Sequence, residues 1–218
     1  MNKNLIIISG FLLFIGCSTK RTEQVKSIKD YYFPYYEFLE PQIYCYVNIN
    51  DTTDKTSWVM QTKIQNGDSL FSTQILDSKN RVTESLVEKI SNTSSLLVSY
   101  RFFNYDNNNN RLLRDCKIID SLVFKWHQKL NENIRWEISF TDFASTNQID
   151  FSKVRTLVQV DTVNKLALFR NQFHFNMIGS NNKYDYSMDT YYQKGKGLIN
   201  YKLYLQDGSN KEYRLVNK

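Results

Sequence analysis

Proline and glycine are scarce in this sequence, which has two Pro and seven Gly in 218 residues. Asn is abundant in the gaps between the hydrophobic runs. The turns in these gaps must therefore be formed mostly by Asn, Asp and Ser, which tolerate left-handed backbone or form Asx-turns. Aromatic residues make up 15% of the chain and hydrophobic residues 41%. That apolar area is enough for the core of one domain and excludes wholesale disorder.

The sequence also lacks a large excess of charge of one sign. Its formal net charge is +6, and bases alternate with acids: Lys20 and Arg21 precede Glu23, and Lys29 precedes Asp30. A nucleic-acid-binding protein normally clusters its cations on one stripe, so we expect no nucleic-acid partner. We interpret the charges as a solvated surface, with weak attraction to anionic lipid headgroups as the alternative.

The apolar run near the N-terminus is too short to anchor the chain by itself. Leu5 to Ile15 is 11 residues, whereas a helix needs about 17–25 residues to cross a bilayer. The run follows Lys3 and the free amine, which is the layout of a signal peptide. We predict that residues 1–16 are an export signal.

The end of this signal carries a second pattern. Phe14-Ile15-Gly16-Cys17 resembles the lipobox of bacterial lipoproteins, with Phe14 in place of the usual Leu or Val. The resemblance implies that Cys17 is acylated and anchors the protein to a membrane, and Ser18 after it implies sorting to the outer membrane. Whether the domain faces the periplasm or the outside stays open. An ordinary signal peptide that contains a Cys is the alternative.

Residues 17–40 are predicted to form a tether and an aromatic lead-in. Tyr31 to Phe38 is dense in aromatic residues, and Pro34 and Pro41 argue against a continuous helix there. The lead-in either packs over a sheet or forms an aromatic patch at the mouth of a cavity.

From residue 41 to residue 218 the dominant period is two, which predicts a single all-β domain. Asn66-Gly67 is the strongest hairpin signal, and Arg81 to Ile90, the one ambiguous segment, favours a strand because of Val82 and Thr83. About a dozen strands with short polar turns predict an antiparallel meander that forms a barrel, a half-barrel or a sandwich.

The first strand sets out the expected faces of the sheet. Ile43, Cys45 and Val47 alternate with Tyr44 and Tyr46, and we expect the aliphatic set to face the core. Tyrosines on the second face suit a partly wet concavity, because each has a large apolar body with a polar tip. We therefore predict a ligand groove lined by tyrosines, namely Tyr44, Tyr46 and Tyr204.

Near the C-terminus, Tyr191 to Ile199 carries an aromatic pair, a Gly-x-Gly and two aliphatic residues. This segment resembles one that recurs near the end of many uncharacterised lipoproteins of Gram-negative bacteria. The resemblance implies a shared β architecture and no activity. We predict that Gly195 and Gly197 form a bulge or sharp bend, and that Asp207-Gly208 turns the final hairpin.

Two cysteines remain once Cys17 is set aside. A disulfide between Cys45 and Cys116 would close about 70 residues and stabilise the fold by on the order of 4 kcal/mol. Two separate buried thiols are the alternative, and spacing alone leaves both open.

No catalytic, cofactor or metal motif stands out. Asp106 to Asn110 has the alternating oxygen ligands of a calcium loop, but Arg111 and Lys117 occupy the places of its Gly and its bidentate Glu. The two histidines lie in aromatic strands outside any known motif, and two glutamates are unmarked candidates for a catalytic pair. These residues are His127, His174, Glu132 and Glu137. We expect no enzyme, no cofactor and no metal site.

Two functions fit these observations. One is a lipid-anchored, non-enzymatic β domain whose concave face binds an apolar or amphiphilic ligand. The other is a protein-interaction or carbohydrate-binding module that uses exposed Tyr and Trp as stacking platforms. The position of the aromatic side chains distinguishes them, because a carrier encloses them and a platform exposes them.

The lipobox resemblance makes a direct prediction. Cys17→Ser removes the acylated thiol, so the protein should leave the membrane fraction, since two or more acyl chains are what anchor a protein stably. Membrane fractionation with palmitate labelling checks this, and labelling that persists unchanged in the variant contradicts it.

Overall fold

The computed structural model describes residues 27–32, 39–180 and 183–217. The predicted export signal, Cys17 and most of the aromatic lead-in lie outside these ranges. The described chain has one short helix and thirteen strands: α1 (Lys29–Tyr32), β1 (Gln42–Asn48), β2 (Asp51–Gln65), β3 (Asp68–Leu76), β4 (Val82–Ile90), β5 (Ser94–Tyr105), β6 (Arg111–Asp115), β7 (Lys117–Lys125), β8 (Asn133–Thr141), β9 (Gln148–Asp161), β10 (Leu166–Met177), β11 (Lys183–Gln193), β12 (Gly197–Tyr204) and β13 (Asn210–Asn217).

The strands form one antiparallel sheet that closes on itself. Their order is β4-β3-β2-β1-β13-β12-β11-β10-β9-β8-β7-β5-β6, and β4 also pairs with β5. Twelve strands therefore make a closed barrel. The short β6 pairs with β5 on the same side as β7 and continues the line of β7 along the wall. The predicted all-β class is confirmed, and of its three expected forms the barrel is the one observed.

Asparagine turns the chain, as its abundance predicts. Five non-glycine residues of the described chain have positive φ, and four of them are Asn. Asn66 and Gly67 have φ of 52° and 81° and join β2 to β3 in two residues. Positive φ at both central positions is the type I′ geometry that suits the twist of a hairpin.

α1 covers one end of the barrel. The Ile28 amide donates to the Trp126 carbonyl at 2.8 Å, and the Gly195 amide donates to the Asp30 carbonyl at 2.8 Å. Ile28 is fully buried, and Tyr31 is nearly so. The start of the lead-in thus packs against the barrel end. Among the described residues, no helix combines the length and apolar character needed to span a membrane.

The faces of β1 are the reverse of those expected. Tyr44 and Tyr46 are fully buried inside the barrel, whereas Ile43 is 60% exposed. Because side chains alternate along a strand, Cys45 also faces outward, which corrects its expected inward position.

The two remaining cysteines are free and half-buried. Cys116 packs against the hydrophobic core, while Cys45 lies on the outer face of β1, several strands away around the ring. The barrel wall separates the two thiols, so the structure has separate cysteines instead of the Cys45–Cys116 bridge.

The bend predicted at the final Gly-x-Gly is confirmed. Gly195 and Gly197 have φ of 77° and 82°. Next to them the register shifts, so that Tyr191 faces Asn200 and Tyr192 faces Leu198, which leaves one extra residue on β12. A bulge of this kind bends a strand and increases its twist.

Gly197→Val should lower the free energy of unfolding by roughly 1–3 kcal/mol, because a β-branched residue is strained at positive φ. Urea unfolding measures the change. Lys202→Val, on the same strand, is the control and should change stability by no more than about 0.5 kcal/mol. Equal stability of the Gly197 variant and the wild type contradicts the prediction.

Candidate ligand-binding lumen

The barrel encloses a cavity of about 270 Å³, which is called the lumen below. It reaches from Tyr32, at the end that α1 covers, to Ile75 and Phe175, which lie near the opposite ends of their strands. This volume is close to the lower limit of small-molecule sites, which span about 300–1,000 Å³.

Most of the lumen wall is aromatic or aliphatic. The aromatic and aliphatic lining residues are Tyr32, Trp58, Ile75, Leu86, Leu97, Tyr100, Phe102, Val123, Trp136, Phe151, Phe173, Phe175, Tyr186, Met188, Tyr192, Tyr201 and Leu203. Several rings stack on one another: Phe151 and Phe175 have centroids 4.2 Å apart, and Phe173 and Tyr186 have centroids 4.4 Å apart. The wall is therefore a packed surface with defined shape.

Four charged residues interrupt this apolar wall. Glu84 and Glu88 project from β4, and Lys153 and Arg155 project from β9. Lys153 and Arg155 are two residues apart, and Glu84 and Glu88 are four residues apart, so both members of each pair point to the same side of their strand. The lumen thus holds two acids and two bases within an aromatic shell.

Glu88 is 1% exposed and has a partner on each oxygen. The Tyr32 hydroxyl donates to Oε1 at 2.6 Å, and the Ser95 hydroxyl donates to Oε2. Burial raises the pKa of this carboxyl, while the two hydrogen bonds and the nearby Arg155 oppose the rise. Because Tyr32 belongs to α1, this contact also ties the helix to the barrel interior.

Glu84 lies at the lumen wall and accepts a hydrogen bond from the Tyr100 hydroxyl. Desolvation raises the pKa of its carboxyl, and the hydrogen bond and the charge of Lys153 oppose that rise. A buried hydroxyl that donates to a carboxylate stabilises the ionised form. Here desolvation is the larger effect.

Arg155 is 4% exposed and is held on two sides. Its Nε donates to Asn171 Oδ1 at 2.9 Å, and a terminal nitrogen donates to the Val123 carbonyl at 2.9 Å. Its guanidinium carbon lies 3.6 Å from the centre of the Phe124 ring. Arginine is weakly hydrated and stacks well on aromatic faces, which suits it to this position.

Lys153 differs from the other three charged residues. Its ammonium lies 5.0 Å from the centre of the Phe173 ring, and within the described chain it has no hydrogen-bond or ion-pair partner. Desolvation, followed by repulsion from Arg155, holds the pKa of Lys153 well below its ordinary value. Both effects favour the neutral amine in the empty lumen, and the attraction of Glu88 and Glu84 opposes them in part.

None of the three tyrosines predicted for the groove is among the described residues that line the lumen. Tyr44 and Tyr46 do face the interior, but they belong to its packed core: the Tyr46 hydroxyl donates to the Leu198 carbonyl at 2.8 Å. Tyr204 lies on the outer face, 36% exposed, with its hydroxyl 3.3 Å from Asp189 Oδ2. Tyr204 is wrong as a groove residue, since Leu203 beside it takes the inward position.

Sequence reasoning missed the charged residues of the lumen, although a signal for them exists. Lys153 and Arg155 lie between Phe151 and Leu157 at a strict spacing of two, and both of those apolar residues are buried. A charge that occupies a core position of an alternating strand indicates a lumen-facing group. The prediction treated all such charges as solvated surface.

The other candidates lie outside the lumen. Asp106 caps its own hairpin tip by accepting from the Asn108 and Asn110 amides. His174 pairs with Asp185 on the surface, and His127 is exposed. The two candidate acids occupy separate ion pairs, Lys125–Glu132 and Arg135–Glu137. The described residues contain no cluster of three or more metal-ligating side chains.

A larger depression of about 530 Å³ lies on the outer face of β12 and β13. Its acid is already paired, because Glu212 accepts from Asn200 at 2.8 Å and lies 3.7 Å from Arg214. Exposed charges that are already paired with each other are solvated and gain little from a further interaction. The lumen, with its buried charges, is the stronger candidate for a binding site.

The raised pKa of Glu84 predicts a pH-dependent stability. The folded protein holds this proton more firmly than the unfolded chain, so the contribution of Glu84 to the free energy of unfolding falls as pH rises from the ordinary carboxyl pKa through the raised value. The Glu84→Gln variant does not lose this contribution, because glutamine does not titrate. The free energy of unfolding of the variant relative to the wild type should therefore increase between about pH 5 and about pH 8.

Urea unfolding at the two pH values measures the difference. Glu40→Gln, at an exposed residue before β1, is the matched control and should track the wild type. A Glu84 variant whose stability relative to the wild type is the same at both pH values would contradict the expectation.

No family model matches the chain, and no curated protein matches it. Among solved structures, it is similar to a "putative lipoprotein" from Parabacteroides distasonis, with a TM-score of 0.44 and 9% identity over 82% of this chain and 96% of that one. It is also similar to a "putative exported protein" with a YmcC-like fold from Bacteroides fragilis, with a TM-score of 0.44 and 10% identity over 80% of this chain and 92% of that one.

Proposed function

We propose that this protein is a lipid-anchored, non-enzymatic component of the bacterial cell envelope whose lumen binds an apolar or amphiphilic ligand. The observation that carries the proposal is the lumen itself: a cavity of about 270 Å³ with aromatic walls and a few buried polar groups. Ligand sites typically combine a mostly apolar wall with a small number of polar groups that fix orientation.

The envelope location is supported by the sequence alone. The Lys3 n-region, the short apolar run and the Gly16-Cys17 junction together fit an exported and acylated precursor. Sorting to the outer membrane is part of the proposal and follows from the resemblance of Ser18 to lipoprotein sorting signals.

The position of the aromatic residues favours a carrier over a stacking platform. Trp126 and Trp136 are buried, and Trp58 lines the lumen. Among the described aromatic residues, only Tyr184 and Tyr204 are largely exposed, with exposed fractions of 42% and 36%. A carbohydrate platform needs several exposed rings in one patch, and the part of the chain that the structure describes offers two exposed tyrosines at most.

The non-enzymatic part of the proposal follows from the arrangement of the polar groups. Glu84 and Glu88 accept hydrogen bonds from tyrosine hydroxyls, and Arg155 is fixed by Asn171. Groups held in this way orient and stabilise a bound molecule.

An apolar naphthylamine dye tests the proposal, because its fluorescence rises in a dry site. The full chain carrying Cys17→Ser should bind the dye with about micromolar affinity. Leu86→Trp places a larger side chain into the lumen and should weaken binding by roughly tenfold or more.

Ser85→Trp is the matched control, because position 85 points to the opposite side of β4 from Glu84 and Leu86. It adds the same indole outside the barrel and should leave dye affinity unchanged. Thermal unfolding confirms that both variants fold. If the folded wild type fails to bind the dye, the carrier proposal is wrong and the interaction module becomes the better hypothesis.

A further inference from the structure

Among the described residues, Lys153 is the one charged residue lining the lumen that has no hydrogen-bond or ion-pair partner, although Glu88 and Glu84 attract its charge at longer range. The other three are satisfied by named groups: Glu88 by Tyr32 and Ser95, Glu84 by Tyr100, and Arg155 by Asn171 and the Val123 carbonyl. No ion pair joins Lys153 to either glutamate. A desolvated ammonium is costly unless its donors are used, so burial favours the neutral amine in the empty lumen, and a ligand that brings an anionic acceptor would restore the ammonium.

We propose that Lys153 binds the head group of the ligand, and that this head group is a carboxylate on a short apolar tail. The inference rests on the proposed function, since it names the ligand class of the same lumen. An ammonium donates and cannot accept, so its complement is an acceptor, and hydrogen bonds between charged groups are roughly twice as strong as neutral ones.

The walls around Lys153 match the rest of such a ligand. Phe173 lies against the ammonium, and Trp136 and Phe151 line the same cavity. The cavity of about 270 Å³ holds about nine groups of the size of a water molecule, which corresponds to an eight-carbon acid. An apolar tail replaces water against aromatic rings at a gain of about 0.8 kcal/mol per buried methylene.

Glu84 and Glu88 would repel a carboxylate if both were fully ionised. Their apolar surroundings raise the pKa of both carboxyls, which reduces the negative charge that an incoming anion meets. Arg155 adds a second positive charge on the same strand as Lys153. The local balance therefore admits one anionic group beside Lys153.

Octanoic acid and 1-octanol form a matched pair of probes, because they share a tail and differ in the head group. Isothermal titration of the full chain carrying Cys17→Ser should give roughly tenfold tighter binding of the acid, as one charge-assisted hydrogen bond predicts. Lys153→Met should bring the two affinities within about twofold of each other. Lys63→Met, at an exposed position of β2, is the control and should keep the preference for the acid.

Equal affinities of acid and alcohol in the wild type would overturn this inference and leave the proposed function standing. Binding of neither probe would contradict the proposed function and this inference with it. If Lys153→Met does not fold, octanoic acid labelled with ¹³C at its carboxyl decides the question in the wild type. The carbon-13 chemical shift of an ionised carboxylate in the complex at neutral pH supports the inference, and the shift of a neutral acid overturns it.

Discussion

The pairing of β4 with β5 converts a thirteen-stranded sheet into a ring of twelve strands. Closure removes the free edges that an open sheet would leave to aggregate, and it also creates an interior that has to be filled. Eight strands leave an interior that ordinary side chains fill, whereas 16–18 strands leave a water-filled channel. Twelve strands lie between these cases, so large side chains are needed. The aromatic content of 15% is explained by this geometric demand.

The interior is filled unevenly along the barrel axis. At the end that α1 covers, Phe124, Trp126 and Phe169 are fully buried and Tyr32 stacks on Phe124 with ring centroids 3.8 Å apart. Beyond this packed layer the wall recedes and the lumen opens. The Tyr32–Glu88 hydrogen bond joins the two regions, because its donor belongs to the α1 plug and its acceptor belongs to the lumen wall. This one hydrogen bond therefore links the packed end of the barrel to the wall of the lumen.

Strand positions and turns could be predicted from the sequence, because both depend on local chemistry. The Asn66-Gly67 hairpin needs only two residues that accept positive φ, and the bend at Gly197 needs only one. The faces of β1 could not be predicted in this way. Ile43 and Tyr44 are both apolar, so hydrophobicity leaves the inward face undecided, and the volume of a twelve-stranded interior selects tyrosine. That volume follows from closure of the barrel by the β1–β13 pairing, which joins distant parts of the chain and which no local pattern specifies.

The need for large side chains explains the aromatic residues of the lumen but not its charged residues. A buried charged group is costly unless it is paired and hydrogen-bonded, so the need to fill the interior does not explain these four residues. Tyr100 and Asn171 provide hydrogen bonds that reduce the cost for Glu84 and Arg155. Lys153 has no such compensation within the described chain. A charged residue at a core position of a strand that has no partner within the protein is expected at a functional site rather than in a structural core. Lys153 is such a residue in the described chain.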